Sequence, residues 1–142
     1  MKNILLAEDD DDDPVFFQKG LSEIPVLTKL IRVKDGMQLM ELLLQFTSTP
    51  GIIFPDVNMP RKNGQQCLSE IRAHQKLKHL PVIIFSTSSA EDIVTWMFNP
   101  GANTCIIKPG DFQKWKRVIE KAINTDWTLR PPVVSIEKFV LT

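Results

Sequence analysis

The chain has 142 residues, of which 43% are hydrophobic, and its 17 basic and 17 acidic side chains give a formal net charge of zero. This length suits one well-packed domain, and the zero net charge argues against a general positive field that would draw the protein to nucleic acid or to an anionic membrane. The charge is nevertheless uneven, because residues 1–60 carry ten acids and five bases, and six of these acids are consecutive, from Glu8 to Asp13.

The expected compartment follows from what the sequence lacks. Cys67 and Cys105 are far apart and fit neither a disulfide framework nor a metal-binding motif. The N-terminus runs into acids after a few apolar residues, unlike a secretory signal, and no apolar run approaches the roughly 20 residues that span a bilayer. We therefore expect a cytoplasmic protein that does not enter a membrane.

Five short apolar segments along the chain predict five β-strands. They are Ile4–Ala7, Leu27–Val33, Ile52–Phe54, Val82–Phe85 and Cys105–Ile107. Most of them are continuously apolar, which is typical of strands covered on both faces, and segments with helical spacing of apolar residues separate them. This alternation predicts an α/β fold, with a doubly wound parallel sheet and helices on both of its faces.

Local residue patterns predict where some elements begin and where the domain ends. Asp13 suits the N-cap of the first helix, with Pro14 in the first helical position. The strand and helix pattern stops near residue 124, so we expect a domain over residues 1–124 and a C-terminal tail over 125–142. The tail is either loosely ordered, or packs back on the domain, or pairs as a strand with a partner.

Polar side chains at the carboxyl ends of the predicted strands form the candidate site, because open α/β sheets bind ligands at that edge. Glu8, Asp9 and Asp56 would repel one another there unless a cation lay between them, and ligands that are all oxygen favour Mg²⁺ over zinc. A carboxylate beside Mg²⁺ can act as a nucleophile and form an aspartyl phosphate. Lys108 and Ser86 follow neighbouring strands, from which both are expected to reach a phosphoryl group on Asp56.

The aspartates that follow Asp9 have a simpler explanation. Asp10 to Asp13 form a solvated helix start, where negative charge is favoured by the helix dipole. We therefore exclude these four residues from the predicted metal site.

Four motifs, in this order and at this spacing, carry a resemblance to a known family. They are Ile4-Leu5-Leu6-Ala7-Glu8-Asp9, then Pro55-Asp56-Val57-Asn58-Met59-Pro60 with Gly64, then Pro81 to Thr87, and finally Gly101-Ala102-Asn103 leading to Lys108-Pro109. Over about residues 3–124 the chain resembles the receiver domain of bacterial two-component response regulators. The resemblance implies a flavodoxin-like fold with five parallel strands in the order 2-1-3-4-5 and five helices.

The resemblance also implies roles for individual residues. By position, Asp56 resembles the phosphoacceptor, Glu8 and Asp9 the acidic pair that binds Mg²⁺, and Asn58 the residue whose backbone carbonyl completes the metal site. The remaining roles, also by position, are Ser86 as the switch hydroxyl, the adjacent Thr87 amide as its helper, and Lys108 as the residue that pairs with the phosphoryl group. The Lys108–Pro109 peptide bond is expected to be cis. The implied phosphoryl donor is a phosphohistidine on a sensor histidine kinase or a histidine phosphotransfer protein.

Two residues depart from the family pattern. Pro55 precedes the phosphoacceptor in a central strand, where a missing N–H removes a hydrogen bond of the sheet. Either the strand ends or bulges at Phe54, or a neighbouring carbonyl takes water. Cys105 stands where the family often carries an aromatic residue that moves with Ser86, so coupling to the output surface would be weaker or would use backbone and helix shifts.

The helix predicted over Glu91–Asn99 carries more apolar residues than one face can bury. Trp96 and Met97 belong to one apolar stripe and Phe98 to another, so we expect one stripe to bind a downstream protein or a second copy of the chain. Simple core packing of Trp96 is the alternative.

Taken together, these features predict a stand-alone receiver that acts as a phosphorylation-controlled switch through protein contacts. The 18 residues after the match are too few for a DNA-binding module. One alternative is a degenerate receiver that serves as a phosphorylation-independent scaffold. Another is a phosphohydrolase with an aspartate nucleophile, which would need a carboxylate where Asn58 stands. We expect no enzymatic activity beyond self-phosphorylation and self-dephosphorylation.

Overall fold

The computed structural model describes residues 2–45, 51–86 and 101–127, which contain five strands and four helices. The strands are β1 (Lys2–Ala7), β2 (Thr28–Val33), β3 (Ile52–Pro55), β4 (Ile83–Ser86) and β5 (Thr104–Ile107). The helices are α1 (Asp12–Ser22), α2 (Gly36–Gln45), α3 (Gly64–Ala73) and α4 (Phe112–Asn124). Each strand lies within one or two residues of the apolar segment that predicted it.

The strands form a parallel sheet in the predicted order. β1 pairs with β2 on one side and with β3 on the other, and β4 pairs with β5, all in parallel. Two parallel bridges, Ile53 to Val82 and Asp56 to Phe85, connect β3 to β4. The resulting order, 2-1-3-4-5, confirms the flavodoxin-like α/β fold and brings the carboxyl ends of β1, β3, β4 and β5 to one edge.

Pro55 is the last residue of β3, where it interrupts the hydrogen bonding to β4 and leaves the pairing with β1 intact. The N–H of Asp56 donates to Ala7 O of β1 at 2.9 Å, whereas the N–H groups of Ile53 and Val57 donate toward β4, to Pro81 O at 2.9 Å and Phe85 O at 3.0 Å. Because successive N–H groups alternate, the one that Pro55 lacks would have pointed at β4. Of the two alternatives, an end or bulge of the strand at Phe54 is therefore wrong, and the hydrogen bond that Pro55 cannot donate is one to β4.

Both faces of the sheet are buried, as the continuous apolar strands predicted. On one face, strand residues such as Leu5 and Ile53 pack with α2 and α3; Cys105 belongs to this core and is fully buried. On the other face, residues such as Phe54 and Phe85 pack with α1 and α4, where the rings of Phe17 and Phe54 meet edge to face at 5.0 Å between centroids. These two cores hold the strand ends in fixed positions relative to one another.

The first helix begins earlier than predicted. Its N-cap is Asp11 and its first residue is Asp12, so Asp13 and Pro14 are the second and third helical residues. Pro14 is tolerated there because the first four N–H groups of a helix have no partner within the helix. The prediction of Asp13 as N-cap was wrong, and the shift turns Asp13 into a first-turn residue.

The packed part of the chain extends past the residue at which the tail was expected to begin. Trp127 is buried in the core on the α1 and α4 side, and its indole N–H donates to Ala122 O at 3.0 Å. Residues 128–142 lie outside the described part of the chain, as do Thr87 and the predicted surface residues Trp96, Met97 and Phe98. Within residues 2–45, 51–86 and 101–127, the helices are all too short or too polar to cross a bilayer.

Candidate functional site

The carboxyl edge of the sheet brings one lysine into contact with three carboxylates. The ammonium nitrogen of Lys108, which follows β5, lies 2.7 Å from Glu8 Oε2 after β1 and 2.8 Å from Asp13 Oδ2 on α1. It also contacts Asp56 Oδ2 after β3. Glu8 and Asp56 are only 2% and 3% exposed, so their charges have little access to water and depend on this lysine.

The loop after β3 approaches Asp56 closely. The Asn58 N–H donates to Asp56 Oδ1 at 2.9 Å, which fixes one carboxylate oxygen while the other faces Lys108. Gly64 opens α3 directly behind this loop, and a Cβ on it would lie 2.4 Å from Asp56 O. Only glycine fits at this position, so α3 can begin against the backbone of Asp56.

Asp35 and Arg61 fasten the same loop to the turn after β2. Arg61 has a φ of 64°, a left-handed conformation that is costly for arginine. Its guanidinium donates to Asp35 Oδ2 from Nε at 3.1 Å and from Nη2 at 2.8 Å. The N–H of Gln38, together with Arg61, holds the pKa of Asp35 below its usual value. No local motif in the sequence indicated this pair, whose members lie 26 positions apart.

The acidic run divides between the site and solvent in an unexpected way. The carboxylates of Glu8, Asp13 and Asp56 lie within 4.8 Å of one another, so Asp13 lies beside the site and is not simply part of a solvated helix start. Asp13 is half-buried in the first turn of α1, and this position directs it toward Lys108. Asp9, which was predicted to be a ligand, is exposed and is not one of these three carboxylates.

Arg32 is a second residue that sequence reasoning missed. From β2 it donates to the backbone carbonyls of Glu8 at 2.8 Å and Asp10 at 3.0 Å, and it pairs with Asp11 at 3.1 Å. These contacts hold the chain between β1 and α1, and therefore both Glu8 and Asp13, against the edge of the sheet.

Ser86 and Lys108 lie on neighbouring strand ends, as predicted. Ser86 is buried at the end of β4, and its carbonyl accepts a hydrogen bond of 2.8 Å from the Lys108 N–H. The Lys108–Pro109 peptide bond is trans, so the expectation of a cis bond was wrong. The trans form is intrinsically favoured by about 0.5–1 kcal/mol before proline, and Lys108 already reaches the site in this form.

In the site, three carboxylates contact the single positive charge of Lys108. Burial, reinforced by the hydrogen bond and repulsion from Asp56, raises the pKa of Glu8 from 4.5 to about 8, although Lys108 opposes the shift. Burial of Lys108 acts to lower its pKa, but hydrogen bonds to Asp13, Asp56 and Glu8 outweigh it and raise the pKa. The site therefore keeps its lysine charged and favours a proton on Glu8.

This raised pKa predicts how stability depends on pH. Folding raises the pKa of Glu8 from 4.5 to about 8 and so favours its protonated form. The contribution of protonated Glu8 to the free energy of unfolding is therefore fully present below pH 4.5 and is lost as the pH rises through about 8. Without divalent cations, we expect the free energy of unfolding to contain a falling component of at most about 1.4 kcal/mol per pH unit. In Glu8→Gln, which cannot ionise, the free energy of unfolding measured by urea titration across this range should lack that component. An identical pH profile in wild type and variant would contradict the assignment.

The donor set fits a hard divalent cation. In the described residues, the grouped candidate ligands are the carboxylates of Glu8, Asp13 and Asp56, with no histidine or cysteine among them. Oxygen ligands of this kind suit Mg²⁺ or Mn²⁺. The pKa of Glu8 is raised chiefly by burial, and its ionised form shares the Lys108 ammonium with Asp13 and Asp56.

Comparison with known proteins decides the family. Residues 4–120 match the sequence profile of the response regulator receiver domain. The chain belongs to the response regulator receiver family. Receiver domains bind Mg²⁺ or Mn²⁺ in an acidic pocket and interact with histidine kinases and downstream targets; they are signalling proteins and not conventional enzymes. The phosphorylation-independent scaffold is not favoured.

The relatives of this receiver include proteins of similar length. Response regulator Rcp1 of Synechocystis is 30% identical over 131 residues, which cover 89% of this chain and 88% of Rcp1. The crystal structure of the phosphorylated cyanobacterial phytochrome response regulator RcpA superposes with a TM-score of 0.76 at 31% identity, covering 84% of this chain and 89% of RcpA. The crystal structure of the Mn²⁺-bound form of Rcp1 superposes with a TM-score of 0.75 at 29% identity, covering 85% of this chain and 91% of Rcp1.

Proposed function

We propose that this receiver is a single-domain response regulator in which Asp56 accepts a phosphoryl group. The observation that carries the proposal is the placement of a buried Asp56 carboxylate against both Glu8 and Lys108 at the carboxyl edge of the sheet. The proposed metal ligands are Glu8, Asp9, Asp56 and the backbone carbonyl of Asn58. Asp9 is exposed and, in this proposal, turns toward the ion when it binds.

The chemistry is transfer of one phosphoryl group between two nucleophiles. A carboxylate oxygen of Asp56 attacks phosphorus, the bond from phosphorus to the donor histidine nitrogen breaks, and the imidazole leaves with the electron pair. Bound Mg²⁺ supplies charge neutralisation for the phosphoryl oxygens. Attack of water on the phosphorylated protein then returns the Asp56 carboxylate and inorganic phosphate.

Lys108 and Ser86 detect the phosphoryl group in this proposal. The Lys108 ammonium moves from the carboxylates to a phosphoryl oxygen, while the Ser86 hydroxyl and the Thr87 amide bind the others. Ser86 and Lys108 are linked through their backbones, so a shift of one strand end is transmitted to the other. Because Cys105 is small, the shift reaches the output surface through backbone and helix movement.

The proposed partners follow from this chemistry. The donor is a sensor histidine kinase or a histidine phosphotransfer protein, and the output surface at Trp96, Met97 and Phe98 contacts a downstream protein or a second copy in a homodimer. We assign residues 1–124 to the receiver domain and 125–142 to the tail, of which Trp127 packs on the domain. A kinase that draws on cellular ATP places the exchange in the cytoplasm, and neither nucleic acid nor membrane has a role.

Incubation with acetyl phosphate tests the proposal against a scaffold. With Mg²⁺ present, intact-mass measurement should show one added phosphoryl group, and removal of Mg²⁺ with a chelator should prevent its addition. An unchanged mass with acetyl phosphate, and also with a phosphorylated phosphotransfer protein, would contradict phosphoryl acceptance and support the scaffold.

A further inference from the structure

In the part of the chain that the structure describes, Lys108 has one carboxylate partner that does not come from a strand end. Its ammonium lies 2.8 Å from Asp13 Oδ2, in addition to its contacts with Glu8 and Asp56. Asp13 belongs to the first turn of α1, whereas Glu8 and Asp56 follow β1 and β3. The lysine is therefore held by two independent parts of the fold.

The origin of this third partner matters because the other two are the carboxylates assigned to the metal ion. A divalent cation between Glu8 and Asp56 repels the ammonium and competes for the same oxygens. Among the carboxylates of the described residues, Asp13 is then the one that stays with Lys108. The side chains of Lys108 and Asp13 are 10% and 21% exposed, so their interaction is less screened than that of a surface ion pair.

We propose that Asp13 is a positioning residue that keeps the Lys108 ammonium beside Asp56 once Mg²⁺ has taken up Glu8 and Asp56. Lysine is a point charge on a flexible stem of four carbons, and a single fixed acceptor removes much of that freedom. Held by Asp13, the ammonium keeps other N–H bonds for a phosphoryl oxygen on Asp56. The inference rests on the proposed function, because the bound phosphoryl group is what Lys108 is positioned to meet.

Beryllofluoride, which mimics a phosphoryl group on aspartate, provides the test at saturating Mg²⁺. The variant is Asp13→Asn, and the matched control is Asp12→Asn, because Asp12 is exposed in the same helical turn and its replacement changes the charge equally. We expect beryllofluoride affinity to fall about tenfold in Asp13→Asn and less than about twofold in Asp12→Asn. Asp13→Glu keeps the charge and should recover most of the loss, which a general loss of helix stability would not allow.

A double-variant cycle shows whether Asp13 acts through Lys108. In a Lys108→Met background, Asp13→Asn should not weaken beryllofluoride or Mg²⁺ binding further, because no ammonium remains to be positioned. An equal effect of Asp13→Asn in both backgrounds would overturn the inference and make Asp13 a direct ligand. Equal effects of Asp12→Asn and Asp13→Asn would overturn it in favour of a general charge effect. If the wild type itself did not bind beryllofluoride, the proposed function would fail along with the inference, whereas normal binding by both wild type and Asp13→Asn overturns the inference alone.

Discussion

The variant Asp56→Asn is expected to lose phosphoryl acceptance completely. The substituted amide keeps the shape of the side chain and can still accept a hydrogen bond from the Asn58 N–H, which Asp56 now accepts at 2.9 Å. It cannot attack phosphorus, because an amide oxygen lacks the negative charge and nucleophilicity of a carboxylate. After incubation with acetyl phosphate and Mg²⁺, the intact mass of Asp56→Asn should equal that of the untreated protein.

Asp12→Asn is the control for this experiment. Asp12 is exposed on α1, so its replacement removes one negative charge without entering the site, and the variant should gain a phosphoryl group as the wild type does. A phosphoryl group on Asp56→Asn at wild-type yield would contradict the assignment and would direct attention to Glu8 or Asp13, whose carboxylates lie within 4.8 Å of that of Asp56.

Replacement of Lys108 by methionine is expected to move the affinities for metal and for phosphoryl mimic in opposite directions. The ammonium occupies the space between the carboxylates and acts as a competitor of Mg²⁺. A unit charge at about 4 Å contributes on the order of 1–4 kcal/mol at the dielectric constants of water and of a protein surface. We therefore expect Lys108→Met to bind Mg²⁺ about tenfold more tightly, while beryllofluoride binding weakens by about tenfold or more because its cationic partner is lost.

Calorimetric titrations can separate these two effects if the pH is chosen with Glu8 in mind. Loss of Lys108 removes the interaction that lowers the pKa of Glu8, so a proton competes with Mg²⁺ more strongly at neutral pH. The pKa of Glu8 is about 8 with Lys108 present and higher without it, so the affinities are measured at several pH values above 8 and compared where they no longer change with pH. Lys114→Met, which removes a largely exposed lysine of α4, is the control and should leave both affinities unchanged. Weaker binding of Mg²⁺ to Lys108→Met would contradict a competing role for the lysine.

The parts of the site that sequence reasoning located are those carried by the ends of buried strands. Glu8, Asp56, Ser86 and Lys108 each follow a continuous apolar segment, and parallel strands bring their carboxyl ends to one edge. The fold follows from the same pattern, because strands buried on both faces need helices on both sides. Asp56 and Lys108 come into contact although 52 positions separate them.

The parts that sequence reasoning missed depend on choices of one or two residues. The residue at which the helix begins decides which aspartate of the acidic run turns inward. With Asp11 as N-cap, Asp13 faces Lys108. A run of identical side chains gives no signal for the position of the N-cap. The consequence of Pro55 depends on whether the N–H at this position would face β1 or β4, and the apolar pattern of the strand does not define that direction.

Long side chains form a second class of features without a local signal. Arg32 and Arg61 reach partners 24 and 26 positions away and hold the two loops that carry Glu8 and Asp56. Their roles depend on the spatial neighbours of β2 and of the loop after β3, so spacing along the chain does not predict them. Burial of Trp127 is similar, since its partners in the core come from α1 and α4.

Locating the phosphoryl group on the chain is the sharpest test of the proposed function. Borohydride reduces an aspartyl phosphate to homoserine, so the modified position can be read by peptide mass spectrometry after treatment with acetyl phosphate and Mg²⁺. We predict homoserine at position 56 and nowhere else in the acidic cluster. Homoserine at position 13 or 9, or a phosphorylated protein with unmodified Asp56, would contradict the assignment of Asp56 as the phosphoacceptor.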